Sequence, residues 1–386
     1  MHRIKLLFVV TKLELGGAQK QLLSLIAHLN KERFHIFLFV AQEGLLLSEA
    51  LSIKGITIIK SRCLERAINP IKDLLVFIEV YWVIKKNNIE IVHTHSSKAG
   101  ILGRLAARLA KVGIIIHTVH GWSFNDYQPA LVRGFFIWLE RFSARFTHKI
   151  IVVSHYDKQK GLNNRIGKED RYELIRYGID YKEFSERKQN IRQELGINTR
   201  DLVVAMVACF KPQKSPMDFI KLSFLVKKSL PNVKFVLVGD GILREEIEKL
   251  ICKLNLEGQV FLTGWRRDIP RILSAIDAFV LTSLWEGLPI TVLEAMASSK
   301  PVVATHTGGI QEIVVEGKTG FLVSPRNMEL MSEQLIILLK NEELRRQMGQ
   351  RAIESLDFNF SLENMVNSTK TLYETVVSQN SSLYAN

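Results

Sequence analysis

Two tandem α/β domains, each a doubly wound parallel sheet covered by helices, are predicted for this chain by three features of its pattern. Short apolar strands alternate with helical periodicity from one end to the other. Several strands, such as Ile114-Ile115-Ile116 and Ile150-Ile151-Val152-Val153, are continuous β-branched runs, which implies burial on both faces, as in a parallel sheet between helical layers. The rhythm lapses once, over the charged stretch Asp180 to Asn190, and then restarts. A length of 386 residues is more than one ordinary domain needs. The boundary therefore falls between residues 181 and 182.

In the first domain, 1–181, strands are expected at 4–10, 35–41, 56–60, 89–94, 113–119, 149–153 and 173–176. Helices are expected at 17–30, 70–87, 98–111, 131–146 and 155–162. In the second domain, 182–360, strands follow at 202–208, 233–239, 259–262, 278–282, 301–305 and 320–323, with helices between them. Residues 327–378 carry three helical segments and no strand pattern. In such sheets ligands gather at the carboxyl ends of the strands, so a cleft between the two domains is the expected site.

Composition narrows the class further. An apolar share of 47% with 24% charged residues supports packed cores and argues against disorder. Cys63, Cys209 and Cys252 are far apart with no C-x-x-C pair, which excludes a disulfide framework and a cysteine zinc site and suits a reducing compartment. The apolar run Ile4 to Val10 is short for a signal peptide and reads as a buried strand. No stretch reaches about 18 uncharged apolar residues, so no membrane-spanning helix is expected. The net charge of +13 is lopsided: residues 1–185 hold 28 Lys+Arg against 16 Asp+Glu, and the remainder 24 against 23. That asymmetry points to an anionic partner for the first half, or to solubilising charge.

Several constellations sit where chemistry is expected. Gly16-Gly17 follow the first strand and open a helix, allowing close backbone approach and offering free N–H groups to an anion. Gly239-Asp240-Gly241 follow another strand but lack the third glycine of a dinucleotide fingerprint, which removes a nicotinamide or flavin reading. Gly308-Gly309 form a third such turn. Glu286, in Ser283-Leu284-Trp285-Glu286-Gly287-Leu288-Pro289, lies in a loop at a strand's carboxyl end, and Glu294 lies over one turn into the next helix. Eight residues apart, the two carboxylates suit gripping two parts of one extended ligand better than forming an acid/base pair; taken alone, Glu294 reads as solvent-facing. Lys211 and Lys214 would place positive charge against a phosphate. Of His93, His95, His117 and His120, only His120, beside Gly121-Trp122, is expected to face the cleft. No Asp-x-Asp occurs, so one common way of holding a metal–diphosphate complex is absent.

Taken in order, these residues resemble the family 4 retaining glycosyltransferases of the GT-B fold. The resemblance rests on Gly16-Gly17-Ala18-Gln19, His95-Ser96-Ser97-Lys98-Ala99-Gly100, His120-Gly121-Trp122, Ile175-Arg176-Tyr177-Gly178-Ile179-Asp180, Gly239-Asp240-Gly241, the E-x7-E motif Glu286 to Glu294, and Gly308-Gly309 with Glu312. It implies a nucleotide-diphosphate sugar as donor substrate, no cofactor and no metal, and transfer to a sugar or lipid-linked sugar with retention. By the same resemblance Gly16 and Gly17 approach the diphosphate and acceptor, and His120 contacts the transferred sugar. Lys214 neutralises the leaving diphosphate, Glu286 with Gly287 and Leu288 holds sugar and phosphates, and Glu294 holds the ribose. The final helix, about 361–386, returns to the first domain. One departure is visible: where the family has glycine and arginine before its lysine, this chain has Ala208 and Cys209. Either Lys211 supplies the missing charge, or the phosphate grip is weaker.

The resemblance makes the basic first half the acceptor side and places the protein in surface-polysaccharide, lipopolysaccharide or glycolipid assembly, in the cytoplasm at the inner membrane face. Helix 70–87 combines Phe77, Tyr81, Trp82 and Ile84 with Lys72, Lys85 and Lys86, as a helix on an anionic lipid surface does. Helix 131–146 has Arg133, Arg141 and Arg145 beside Phe135, Phe136 and Trp138, and reads instead as an ordinary amphipathic helix packed on the sheet. Rival readings are a nucleotide-sugar epimerase, an inactive sugar-nucleotide sensor, and a nucleic-acid binder. The last has charge but no zinc-finger spacing, RNP-like motif or basic heptads, so no nucleic-acid partner is expected.

Overall fold

The computed structural model describes residues 3–185 and 191–383; residues 1–2, 186–190 of the boundary stretch and 384–386 lie outside these. The chain divides into two compact units, Met1–Gly178 with Leu362–Asn386, and Ile179–Ser361.

In the first unit, β1 (Ile4–Val9), β2 (Phe34–Ala41), β3 (Ile56–Ser61), β4 (Ile91–His95), β5 (Ile114–Val119), β6 (Lys149–Val152) and β7 (Tyr172–Leu174) form one sheet of order β3-β2-β1-β4-β5-β6-β7. Every pairing in it is parallel. The connections are α1 (Gly17–His28), α2 (Leu47–Ser52), α3 (Pro70–Asn87), α4 (Ser97–Leu109), α5 (Ala130–Ala144) and α6 (His155–Asn163). The order reverses between β1 and β4, and that switch point opens a crevice at the strands' carboxyl ends. Local chemistry sets the helix limits. Asn69 accepts a hydrogen bond from the Lys72 N–H and Pro70 opens α3, while Asn88 closes it in the left-handed region at φ 51°.

The second unit repeats the plan with β8 (Val203–Val207), β9 (Lys234–Val238), β10 (Val260–Gly264), β11 (Ala278–Leu281), β12 (Val302–Thr305) and β13 (Gly320–Val323), in the order β10-β9-β8-β11-β12-β13 and parallel throughout. Its helices are α7 (Tyr181–Ser185), α8 (Pro216–Ser229), α9 (Arg244–Lys253), α10 (Ile269–Ala275), α11 (Ile290–Ala297), α12 (Met328–Lys340) and α13 (Glu342–Glu354). Here the switch point lies between β8 and β11. The last helix, α14 (Leu362–Leu383), belongs to the first unit. Its Met365, Val366, Leu372 and Tyr373 complete the core that α1 forms over one face of the sheet; α3 and α4 cover the other face.

Helix α5 departs from its sequence reading. It was expected to pack its apolar stripe on the sheet, but only Glu140, Ser143 and Ala144 are buried. Leu131, Phe135, Trp138 and Phe142 recur at helical spacing on the outer face, with Leu131 90% and Trp138 58% exposed. The reason is an ion pair on the inner face: the Arg104 guanidinium of α4 donates from Nη2 to Glu140 Oε2 at 2.7 Å and from Nε to the Gly100 carbonyl at 2.8 Å. A buried arginine needs such a partner, so α5 turns its carboxylate inward beside Phe136 and Ile137, which pack on the core, and leaves Phe135, Trp138 and Phe142 outward.

Candidate active site

In the second unit the candidate residues converge on the switch point between β8 and β11. After β8 the chain runs through Ala208, Cys209 and Lys211 into a 3₁₀ turn, Pro212–Lys214. The Thr282 hydroxyl, just past β11, donates toward the carbonyls of Lys214 and Ser215 at 3.1 and 2.9 Å, and the Leu284 N–H reaches the Gln213 carbonyl at 2.8 Å. Those bonds tie the two loops together and bring Lys214 Nζ to Glu286 Oε1 at 2.5 Å. The Ser283 hydroxyl donates to the same oxygen at 2.6 Å. Among the described residues no protein group bonds Oε2, so the carboxylate keeps one oxygen for a ligand.

The glycines around this pair are required by close backbone approach. Gly308 has φ 58°, and a Cβ there would lie 2.0 Å from the Glu286 carbonyl oxygen. The neighbouring Gly309 N–H donates to the Gly287 carbonyl at 2.7 Å. Gly239, at φ 130°, would put a Cβ 2.0 Å from the Ala208 carbonyl oxygen, and Gly241, at φ 153°, one 2.6 Å from that of Phe210. Both contacts involve backbone that cannot yield. We therefore expect Gly308→Ala to lower the melting temperature by about 4–8 °C in a thermal scan, through about 2 kcal/mol of strain and displaced backbone.

Glu294 sits in mid-α11, 5% exposed, which corrects the solvent-facing reading. The helix follows directly on Leu288-Pro289, themselves buried, and its packed inner face includes position 294. Lys211 is half-buried at the head of the 3₁₀ turn. The structure thus brings Lys211, Lys214, Gly239, Gly241, Glu286, Gly287, Leu288 and Glu294 to one end of one sheet.

The first unit has its own cluster at the switch point between β1 and β4. Gly16 caps α1 and Gly17 begins it, with no side-chain hydrogen bond at the cap. The histidines divide by sheet face. His117 bonds Thr94 through its hydroxyl at 2.9 Å and its carbonyl at 3.1 Å. On the opposite face His93 bonds Tyr373 Oη at 2.6 Å and Thr118 Oγ1 at 2.7 Å. There too His95 Nδ1 meets His120 Nε2 at 2.8 Å, and His120 Nδ1 meets Tyr177 Oη at 2.7 Å. Burial holds all four imidazoles neutral, with His93 pushed down to about 3 and His120 to about 4; the others fall well below the ordinary range. Among the described residues, no group of three or more His, Cys, Asp or Glu is placed to hold a metal ion.

The sequence pattern did not single out Ser283, Tyr177 or His95 as functional. Ser283 precedes Glu286 by three residues in one loop, a spacing that allows a side-chain bond; Tyr177 lies 57 residues from His120 and carries no such local signal.

Two parallel doubly wound units, each with loops built for close approach at its switch point, have the plan of the GT-B fold class. Residues 15–183 match the family described as Glycosyltransferase Family 4, and residues 187–355 that described as Glycosyl transferases group 1. The chain belongs to glycosyltransferase family 4. It is 32% identical, over 96% of its length and 97% of the relative's, to UDP-Gal:alpha-D-GlcNAc-diphosphoundecaprenol alpha-1,3-galactosyltransferase of Escherichia coli. It is 28% identical, over 86% of the chain and 88% of the relative, to N,N'-diacetylbacillosaminyl-diphospho-undecaprenol alpha-1,3-N-acetylgalactosaminyltransferase of Campylobacter jejuni. The fold matches Anabaena HepE, solved with UDP and glucose, at TM-score 0.83 and 20% identity over 97% of this chain and 100% of that one.

Proposed function

We propose that this glycosyltransferase moves a sugar, with retention and without a metal, from a uridine-diphosphate donor to a sugar carried on a lipid diphosphate. The observation that carries the reading is the pair of half-buried Lys214 and buried Glu286 at the β8–β11 switch point. The full-length similarity to enzymes named for lipid-diphosphate acceptors supports the acceptor class.

In this reading the anomeric carbon–oxygen bond to the diphosphate breaks as the acceptor hydroxyl closes on the same face, and that hydroxyl's proton passes to the departing phosphate oxygen. The Lys214 ammonium has three donors and gives one to Glu286, leaving two for the developing phosphate charge. Lys211 adds the charge that Ala208-Cys209 do not supply. Glu286 Oε2 accepts from a sugar hydroxyl, Glu294 from the ribose, and His120 packs against the transferred sugar. The test is incubation of the protein with radiolabelled uridine-diphosphate sugars and a polyprenyl-diphosphate acceptor, with and without EDTA. The expected product is larger by one sugar, carries the donor's anomeric configuration by NMR, and forms equally with chelator present. A product isomeric with the donor would indicate an epimerase instead.

The same reading places the first unit on the anionic inner face of a membrane. Among the described residues no helix is long and apolar enough to cross one. The outer face of α5 carries a ladder in which Phe135, Trp138 and Phe142 stack at 6.3 and 5.9 Å, with Arg133 and Arg141 beside it. Helix α3 exposes Ile71, Leu74 and Trp82 and ends in Lys85 and Lys86. Apolar insertion beside basic residues is how a peripheral protein holds an anionic surface. Sedimentation with anionic liposomes should retain the protein at low salt. Leu131→Ser with Trp138→Ser should weaken retention at least about tenfold, since each exposed side chain costs about 1.5–3 kcal/mol of burial when removed. Equal retention of the double variant would exclude α5 as the contact.

A further inference from the structure

The neutral histidine chain His95–His120–Tyr177 has a direction that the hydrogen-bond accounting fixes. His95 is buried, its Nδ1 meets His120 Nε2, and its own Nε2 has no hydrogen-bond partner. His95 lines a small cavity of about 30 Å³, where Leu22, Leu25, Ile151, Val153, Ile175 and Met365 share the wall with as many polar or aromatic residues. The polar groups that share the lining are bonded elsewhere. Gln21 spans both backbone polar groups of Gly178, His93 holds Thr118 and Tyr373, and the Thr369 hydroxyl donates to the Met365 carbonyl. Among the lining side chains of the described residues, His95 Nε2 is thus the buried polar atom left without a protein hydrogen bond. A buried orphan N–H is rarer and costlier than an orphan lone pair. The proton of His95 therefore belongs on Nδ1, where it donates to His120 Nε2. His120, accepting at Nε2, carries its own proton on Nδ1 and donates it to the Tyr177 oxygen.

We infer that His95 and Tyr177 are positioning residues that hold His120 in its Nδ1–H tautomer and fix its ring orientation. The rings are stacked to match, His95 on His120 at 5.1 Å and His120 on Tyr177 at 5.7 Å between centroids. A ring clamped at both nitrogens cannot rotate when ligand arrives. The catalytic consequence rests on the proposed role of His120 at the sugar; the tautomer does not.

Nitrogen-15 spectra of histidine-labelled protein read the tautomer directly. The expected result is Nδ1–H at both His95 and His120 in the wild type, and a mixture at His120 in Tyr177→Phe, where the Nδ1–H loses its acceptor. His95→Asn keeps a donor at the position of Nδ1 and should preserve the His120 signature, whereas His95→Leu should not. In transfer assays, Tyr177→Phe and His95→Leu should lower kcat about 10- to 100-fold with KM for the donor within about twofold, and His95→Asn should recover most of the loss. Nε2–H at His120 in the wild type, or an unaltered tautomer in both Tyr177→Phe and His95→Leu, would overturn the inference. An altered tautomer with unchanged turnover upholds it and removes His120 from the proposed reaction.

Discussion

Lys214→Ala should lower kcat/KM for transfer about 100- to 1000-fold, the scale seen when one preorganised donor to a developing negative charge is removed. The same substitution strands Glu286, a carboxylate buried beside Ser283 alone, and breaking a buried pair by removing one member costs about 3–5 kcal/mol of stability. Activity and stability would thus fall together, and a loss of turnover by itself would not locate the chemistry. A pair of variants separates them. Lys214→Met with Glu286→Gln removes both charges, leaves two side chains of similar volume, and should restore the melting temperature to within a few degrees of the wild type. Its transfer rate should stay at the level of Lys214→Ala. If the double variant regained even a tenth of wild-type kcat/KM, Lys214 would be a structural cation, and the phosphate charge would have to be met by Lys211 or the helix termini. The measurement is kcat/KM for the donor alongside a thermal scan, for the wild type and both variants.

The fold was largely legible in the sequence because parallel strands advertise themselves. Ile150-Ile151-Val152-Val153 can be buried on both faces and little else, and the restart of the rhythm after residue 190 could only be a second sheet. The short helix α2 went unread, since six residues hold too few turns for periodicity to show. The site was legible where chain order carries the geometry: Lys214 and Glu286 each follow a strand, and adjacent strands place them together. Glu294 misled because one helical residue gives no sign of which way it faces until its neighbours are packed. Helix α5 misled for a related reason. Its aromatic stripe satisfied the pattern of a buried face, and only the long-range partner Arg104, 36 residues from Glu140, decides which face turns inward. Long-range polar pairs leave no periodic trace, and the chain from His95 through His120 to Tyr177 is of the same kind.

The histidine-rich sheet of the first unit should open at acid pH before the second unit does. His93, His95, His117 and His120 are all held neutral by burial, with folded values lowered to about 3 for His93 and about 4 for His120. Their unfolded value is about 6.5. Above that pH both states are neutral and the histidines contribute no slope. Below it the unfolded chain binds protons that the folded one refuses, so stability falls as pH falls, until the folded values are reached. Each group contributes about 1.4 kcal/mol per pH unit in that window. Between pH 6.5 and about 5, His93 and His120 alone remove about 3 kcal/mol, a large part of what an ordinary domain has, and the other two steepen the fall. Among the described residues of the second unit, His306 is the sole histidine, which makes that unit an internal control. Hydrogen exchange followed through a urea series at several pH values reads the two separately. Protection in β4 and β5 should collapse at steadily lower urea from pH 6.5 to 5, while β8 and β11 shift far less. His117→Asn, which keeps a donor toward Thr94 but cannot take up a proton in this range, should flatten the slope of the first unit by about 1.4 kcal/mol per pH unit. Parallel loss of protection in both units would mean that carboxylates, not these imidazoles, set the acid limit.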